Sequence, residues 1–267
     1  MKLREINNKC LSTVVFVLLL IVAVPPALFA QDAGTKPVFK QEELEQMLAP
    51  VALYPDSLLT QILMASTYPL EVVQAERWAK QNKDMKGDAL AKALEAQTWD
   101  PSVKSLLNFP DVLSMMSEKL DLTQKVGDAF LAQQKDVMAT IQKLRAKAEA
   151  SGNLKSTKEQ KVIVEKETKV IIIEPANPQV IYVPTYNPTV VYGVWAYPAY
   201  PPYPVYPPGY VAGAAFVTGV AVGAAWGYAW GQASWHGGHG NYHGSSVKVN
   251  YNQNININNN INRGKYA

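Results

Sequence analysis

Histidine and cysteine are scarce in this 267-residue chain, with three of the first and one of the second. A disulfide scaffold and a cysteine-based zinc fold are both excluded by that count. Excess charge of one sign is missing too. There are 25 Lys+Arg against 22 Asp+Glu, a formal charge of +3. Phosphate affinity needs clustered cations, so a polybasic nucleic-acid binder is excluded. The most uneven absence is acid. From Asn177 to Ala267 there is no Asp or Glu, and the cations are Lys248, Arg263 and Lys265. Residues 31–152 hold 17 acids and 14 bases, whereas 12 of the 16 Gly and 12 of the 14 Tyr follow residue 180. Two physically different halves are joined.

The amino terminus reads as an address. Lys2, Arg4 and Lys9 precede an uncharged, mostly apolar run from Cys10 to Val24, Pro25-Pro26 ends any helix, and Ala30 is a small residue. This is the layout of a secretory signal peptide over 1–30. An N-terminal anchor is the alternative, but it needs about 20 apolar residues. Cys10 opens the apolar run and does not follow it, so it is not placed for lipid attachment. Cleavage after Ala30 leaves a chain without cysteine, with 22 bases and 21 acids. The expected location is across the inner membrane, in the periplasm or at the outer membrane.

After a linker over 31–37, residues 38–152 read as a compact helical domain. Tyr54-Pro55, Tyr68-Pro69, Asp100-Pro101 and Phe109-Pro110 each open an apolar-periodic segment. Proline suits the first helical position, where its missing N–H costs nothing. Leu58, Leu59, Ile62 and Leu63 recur at helical spacing, and Asp100 is placed to cap the turn holding Val103, Leu106 and Leu107. Leu122, Val126, Phe130, Val137, Ile141 and Leu144 read as one long helix stopped by Ser151-Gly152. Its last-turn cations Lys143, Arg145 and Lys147 suit the helix dipole, as Glu42, Glu43 and Glu45 suit a helix start. The half has no His, no phosphate loop and no nucleophile elbow. Ser57, Ser66 and Ser105 therefore lack a histidine base here. A periplasmic enzyme or accessory factor is the alternative reading, and carboxylates converging in a cleft, Asp56 with Glu71 or Glu76, are what would support it.

A polar linker over 153–161 leads to a small β segment over 162–193. Val162–Val164 and Val170–Ile173 are β-branched throughout, and Asn177-Pro178-Gln179-Val180-Ile181-Tyr182 is echoed ten residues on by Asn187-Pro188-Thr189-Val190-Val191-Tyr192. Each Asn-Pro marks a turn and each Val/Ile/Tyr run a short strand. Three segments then carry a resemblance: Leu48-Ala49-Pro50-Val51-Ala52-Leu53-Tyr54-Pro55-Asp56-Ser57-Leu58-Leu59, Trp99-Asp100-Pro101-Ser102-Val103, and Tyr182-Val183-Pro184-Thr185-Tyr186-Asn187 with its continuation to Gly193. Together they resemble a bacterial exported-protein family, domain of unknown function 3300, over roughly 38–195. The resemblance implies export and a variable low-complexity tail. It implies no activity, so it carries no catalytic residue and no cofactor.

The rest is low in complexity, with three periods. Tyr197, Tyr200, Tyr203 and Tyr206, each followed by Pro, recur every three residues over 194–210. In polyproline II they share one edge, as a strip for a partner or a lipid headgroup region, or as a plain spacer. Over 211–231, Gly219, Gly223, Gly227 and Gly231 recur every four residues in an uncharged stretch, with Trp226 and Trp230 at one end. That is a stripe for close packing of membrane or self-associating helices. No Leu or Ile lies in that stretch, so a glycine-rich tail is the competing reading. The tail, 232–267, alternates Asn from Asn250 to Asn262, as a cross-β ladder or as plain low complexity. His236, His239 and His243 lie within eight residues. They suit a weak divalent-metal site or a Gly/His spacer.

The reading is thus mainly α: a multi-helix N-terminal domain, a small β segment and a low-complexity C-terminal region. Its leading function is a non-catalytic envelope protein whose C-terminal region associates with a membrane, an envelope component or copies of itself. The alternatives are a periplasmic metal-binding protein and a periplasmic enzyme.

Overall fold

The computed structural model describes residues 38–205, 220–221, 233–236 and 239–242. The chain divides into two units, 1–37 and 38–267, and every described residue lies in the second. Residues 1–30, expected to be a signal peptide, therefore lie outside the described residues. So do Tyr206, Gly219, Gly223, Gly227, Gly231, Trp226, Trp230, His243 and the Asn-rich tail.

Eight helices stand among the described residues: α1 Gln41–Leu48, α2 Asp56–Ala65, α3 Pro69–Gln81, α4 Gly87–Glu95, α5 Pro101–Leu106, α6 Pro110–Glu118, α7 Leu120–Ala132 and α8 Gln134–Ala150. Proline opens α3, α5 and α6 at their first residue, and Pro55 caps α2. The Asp100 side chain accepts from the Ser102 backbone N–H at 2.8 Å, as an N-cap should. No described helix is long and apolar enough to cross a membrane.

The helix expected through Leu122 to Leu144 is two. Gln133 leaves helical geometry at φ −147°, ψ 52°, and α7 and α8 meet there. Its side chain takes over the lost backbone work elsewhere. The Phe39 N–H donates to Gln133 Oε1 at 2.8 Å, and Gln133 Nε2 donates to the Phe39 carbonyl at 3.1 Å. α7 also approaches α2 closely. A Cβ placed on Gly127 would lie 2.1 Å from the Ser66 carbonyl oxygen.

The β structure differs from a single sheet over 162–193. Strands β1 Gln160–Val164 and β2 Ile171–Pro175 pair antiparallel, with Val162 opposite Ile173. Strand β1 thus begins inside the expected linker, because Ser156 and Thr157 fold back along its open edge. The Val162 N–H donates to Ser156 Oγ at 2.9 Å, and the Thr157 N–H donates to the Gln160 carbonyl at 2.9 Å. Such side-chain cover blunts an edge strand. Both Asn-Pro repeats make the same turn: Asn177 and Asn187 accept from Gln179 and Thr189 N–H groups, each at 2.9 Å. Only the first enters a strand, β3 Val180–Ile181. After the second, Val190 and Val191 both donate to the Asn187 carbonyl, so Val190–Tyr192 is a turn and not the expected strand. Here the tertiary contacts of Val191 and Tyr192, both buried, override β propensity.

β3 pairs antiparallel with β4 Val220–Ala221, Ile181 opposite Val220. Val220 and Ala221 are thus strand where a helix over 211–231 was expected, and the rest of that stretch lies outside the described residues. Val220 is β-branched and packs against the main core, where it gains tertiary contacts that an isolated Gly-rich helix lacks. Strands β5 Ala233–His236 and β6 His239–Tyr242 form a further hairpin.

One hydrophobic core runs through the helices and into the β region. Leu44, Leu48, Leu58, Leu63, Leu106, Leu113, Ile141 and Leu144 are shielded, and Ile171, Ile173, Ile181, Val183 and Val205 join the same cluster.

Candidate functional site

The Leu48–Asp56 loop joins α1 to α2, and all nine of its residues are buried. A buried loop must find partners for its peptide groups. Pro50 and Pro55 remove two donors, and side chains from far along the sequence satisfy the exposed carbonyls. Arg145, on α8 and 0% exposed, supplies most of them. Its Nε donates to the Ala52 carbonyl at 2.8 Å and its Nη2 to the Tyr54 carbonyl at 3.0 Å. Its Nη1 donates to the Ile171 carbonyl of β2 at 2.8 Å and lies 2.6 Å from Asp56 Oδ1. The planar five-donor guanidinium is the side chain able to serve such a divergent set.

β2 is held to the helices by its own backbone edge. The Ile171 N–H donates to Gln142 Oε1 at 2.8 Å, and Gln142 Nε2 donates back to the Ile171 carbonyl at 3.2 Å. The Gln142 amide thus takes the place of a neighbouring strand. Burial pushes the Asp56 carboxyl up to about 6, with the Arg145 charge and hydrogen bond and the Ile173 amide holding it down in part. An ion pair this dry is a poor source of net stability but a strict geometric fastener, since either partner alone is an uncompensated buried group.

Two tyrosines of the third signature segment close the loop from the other side. The Tyr186 and Tyr192 hydroxyls both donate to the Ala49 carbonyl, Tyr186 at 3.0 Å. Tyr186 Oη also accepts from the Leu53 N–H at 3.4 Å. The Tyr54 and Tyr186 rings meet edge to face at 6.3 Å, and so do those of Tyr186 and Tyr192. Burial raises all three phenols well above their ordinary range, so they remain neutral donors.

A second cluster fastens the next stretch of chain. Glu45 is 0% exposed and pairs with Lys143 at 2.7 Å and Lys147 at 2.5 Å. Burial opposes its charge, but Lys143, Lys147 and Gln41 outweigh it and hold the carboxyl below its usual range. Lys147 also lies 5.1 Å from the Trp195 ring centroid, and Lys143 lies 5.8 Å from that of Tyr197. Lys147 stands in the last turn of α8, where a cation suits the dipole, and with Lys143 it also pairs with Glu45 across the interior.

The tyrosine strip is not a rod as far as it is described. The Tyr200 N–H donates to the Tyr197 carbonyl at 2.9 Å, a turn that polyproline II cannot contain. Trp195 Nε1 donates to the Tyr200 carbonyl at 2.8 Å, and Gln46 Nε2 donates to the Pro201 carbonyl at 2.8 Å. Tyr197 and Tyr203 are half-buried against the chain's own helices, because the lysine pair and Gln46 supply partners that the periodicity alone does not show. Tyr203, Pro204 and Val205 line a cavity of about 430 Å³ with Glu118, Lys119, Leu120, Asp121 and Leu122.

The carboxylates named for a catalytic reading do not share partners. Asp56 faces Arg145, Glu71 accepts from the Asp100 N–H at 2.6 Å, and Glu76 pairs with Lys80 at 2.5 Å. Ser66 and Ser105 hydroxyls donate to the Ile62 and Ser102 carbonyls. Among the described residues no group of three or more His, Cys, Asp or Glu could hold a metal ion. His236 and His239 stand opposite each other in the β5–β6 register.

The residues that sequence reasoning missed are Arg145, Gln142, Tyr186 and Tyr192. A signal for the first existed. Val137, Ile141, Leu144 and Ala148 form the buried stripe of α8, and Arg145 falls four residues after Ile141, on that stripe.

The arrangement defines a class: a mainly helical chain in which three distant sequence segments lock onto one buried loop. The particular family follows from comparison. The chain belongs to the family described as "Protein of unknown function (DUF3300)", whose model matches residues 40–267. The match thus continues past residue 195 through the C-terminal region. The chain is also similar to "Uncharacterized protein YacH" of Escherichia coli (strain K12), 45% identical over 226 residues, covering 73% of this chain. It spans only 36% of that relative's length. No solved structure matches the chain.

Proposed function

We propose that this is a non-catalytic protein of the bacterial cell envelope. Its folded unit is a base that holds and presents the C-terminal region, and that region associates with a membrane, an envelope component or further copies of the chain. One observation carries the reading. Arg145, with Asp56, Tyr186 and Tyr192 of the signature segments, bonds the chain's own backbone, Arg145 also pairs with Asp56, and all four are spent on fastening 160–205 to the helices. The chain leaves that anchored stretch at Val205 and enters a region without a single acid. Export rests on the Lys2-to-Ala30 layout and on the family resemblance.

The test is fractionation of native cells, with and without high salt and detergent, for the whole chain and for a chain lacking 211–267. The whole chain is expected in the membrane fraction or in a large assembly. The shortened chain is expected as a soluble folded fragment, weakened slightly by loss of β4 from its pairing with β3. A shortened chain that stays with the membrane would contradict the proposal. So would a whole chain that is monomeric and freely dissolved in the periplasm, or one found in the cytoplasm.

A further inference from the structure

We infer that the Gln61 face of α2 is a docking surface for an extended backbone, and that the Gln61 carboxamide clamps strand β5 of the same chain there. Gln61 is 0% exposed, yet neither its Oε1 nor its Nε2 has a hydrogen-bond partner among the described residues. The Ser57 hydroxyl, one turn earlier on the same face, is buried and without a partner in the same way. A buried carboxamide in that state is costly, and native folds hold few of them.

The protein shows twice what a glutamine amide does against a backbone. Gln133 takes the N–H and C=O of Phe39, at 2.8 and 3.1 Å. Gln142 takes those of Ile171, at 2.8 and 3.2 Å. In each case one carboxamide, with a donor and an acceptor side by side, serves both groups of a single backbone residue. Gln61 carries the same pair of groups, and both are free.

The neighbours of α2 decide the occupant. It packs against α5, α7, β2 and β5. The two helices use most of their backbone groups in their own turns. The outward-facing groups of β2 are already bonded: Ile171 to Gln142 and Arg145, and the Ile173 amide to Asp56. β5 is different. Among the described residues it pairs with β6 alone, in a two-stranded sheet. Alternate residues of such a strand turn their N–H and C=O away from the partner, and the edge is a row of unpaired donors and acceptors. That row is the complement of a free carboxamide. With Gln61 shielded from water, the β5 edge is the neighbouring source of partners. The clamp goes beyond the proposed function, since it concerns how the C-terminal region is seated on the helices, whatever that region then adheres to.

The experiment is hydrogen exchange by NMR on the purified whole chain, with Gln61→Met compared against the parent and Gln142→Met as the control. Met keeps the length of the side chain and removes the carboxamide. In the parent, slow exchange is expected at the Gln61 Nε2 protons and at an amide of β5 that faces away from β6. Gln61→Met should speed exchange at that β5 amide by about two- to tenfold, the net worth of one hydrogen bond. Gln142→Met should do the same at Ile171 and leave β5 unchanged. Protection of β5 that is unchanged or raised in Gln61→Met would overturn the inference, and would mean that the amide is bare or met by a trapped water. Gln61 Nε2 protons that exchange as fast as a free carboxamide in the parent would overturn it without any variant. Equal loosening of β5 by Gln142→Met would overturn it as well. Unchanged helical circular dichroism separates loss of the clamp from loss of the fold. A whole chain found freely dissolved on fractionation would sink the envelope reading and leave these exchange rates as they are, so the two failures are told apart.

Discussion

Replacing Arg145 with Met keeps the buried aliphatic stem and removes the guanidinium. Two carbonyls, those of Ala52 and Tyr54, then lose their side-chain donor, and the Ile171 carbonyl keeps only Gln142 Nε2 at 3.2 Å. A buried acceptor left unpaired costs about 1–3 kcal/mol. Asp56, buried beside it, loses its ion-pair partner among the described residues, and breaking such a pair costs about 3–5 kcal/mol. The costs do not add in full, because Asp56 escapes its penalty by taking a proton. A loss of about 4 kcal/mol is the expected result, against a total stability of about 5–15 kcal/mol for ordinary domains. Urea unfolding followed by circular dichroism measures it, and Trp195 fluorescence reports the docked segment. The companion variant Asp56→Asn/Arg145→Met removes the stranded charge and should recover at least about 1 kcal/mol relative to Arg145→Met alone. An Arg145→Met protein within about 1 kcal/mol of the parent would refute the reasoning, since it would mean that the loop's carbonyls find partners without the arginine.

Gly127→Ala drives a methyl group into the Ser66 backbone carbonyl, which lies 2.1 Å from the added atom, so α7 must move away from α2 at a cost of about 1–3 kcal/mol by thermal melting. Tyr186→Phe removes one donor to the Ala49 carbonyl and the acceptor for the Leu53 N–H, and should cost about 1 kcal/mol in the same assay. The pH profile of Asp56→Asn against the parent tests the buried pair. Folding raises the Asp56 carboxyl from 3.8 to about 6, so the folded chain binds that proton more tightly than the unfolded one. Its stabilising contribution is complete below pH 3.8 and lost as pH rises through 6, so the parent should gain on the order of 3 kcal/mol over the variant between pH 7 and pH 3.5. Glu45 works in the opposite sense, losing its contribution as pH falls below the ordinary carboxylate range, but it is present in both proteins and cancels.

The helices were legible because their starts are written in local chemistry. Pro at a first turn and Asp100 at a cap each act within three residues, and the leucine spacing gives the buried face directly. The interruption at Gln133 was harder to see, since it depends on a partner, Phe39, that is 94 residues away. The latch was hidden for the same reason. Arg145 looks like a surface cation near a helix end until the Leu48–Asp56 carbonyls are known to lie over it. Lys143 and Lys147 look alike until Glu45 is placed between them. Period three in the Tyr-Pro strip suggests a rod in isolation, and the turn at Tyr197–Tyr200 arises from contacts with α1 and α8 that no period encodes. The strand at Val220–Ala221 is another such case, formed with a partner 39 residues upstream, opposite Ile181.

Native-state hydrogen exchange of the purified chain tests the latch most directly. The Ile171 amide, bonded to Gln142, and the Ile141 and Leu144 amides of α8 are predicted to open with the same free energy, within about 1 kcal/mol, because β2 and α8 share Arg145 and unfold as one unit. Exchange at Ile171 several kcal/mol easier than at Ile141 would show a β hairpin that detaches by itself, and would contradict the claim that Arg145 and Gln142 weld it to the helices.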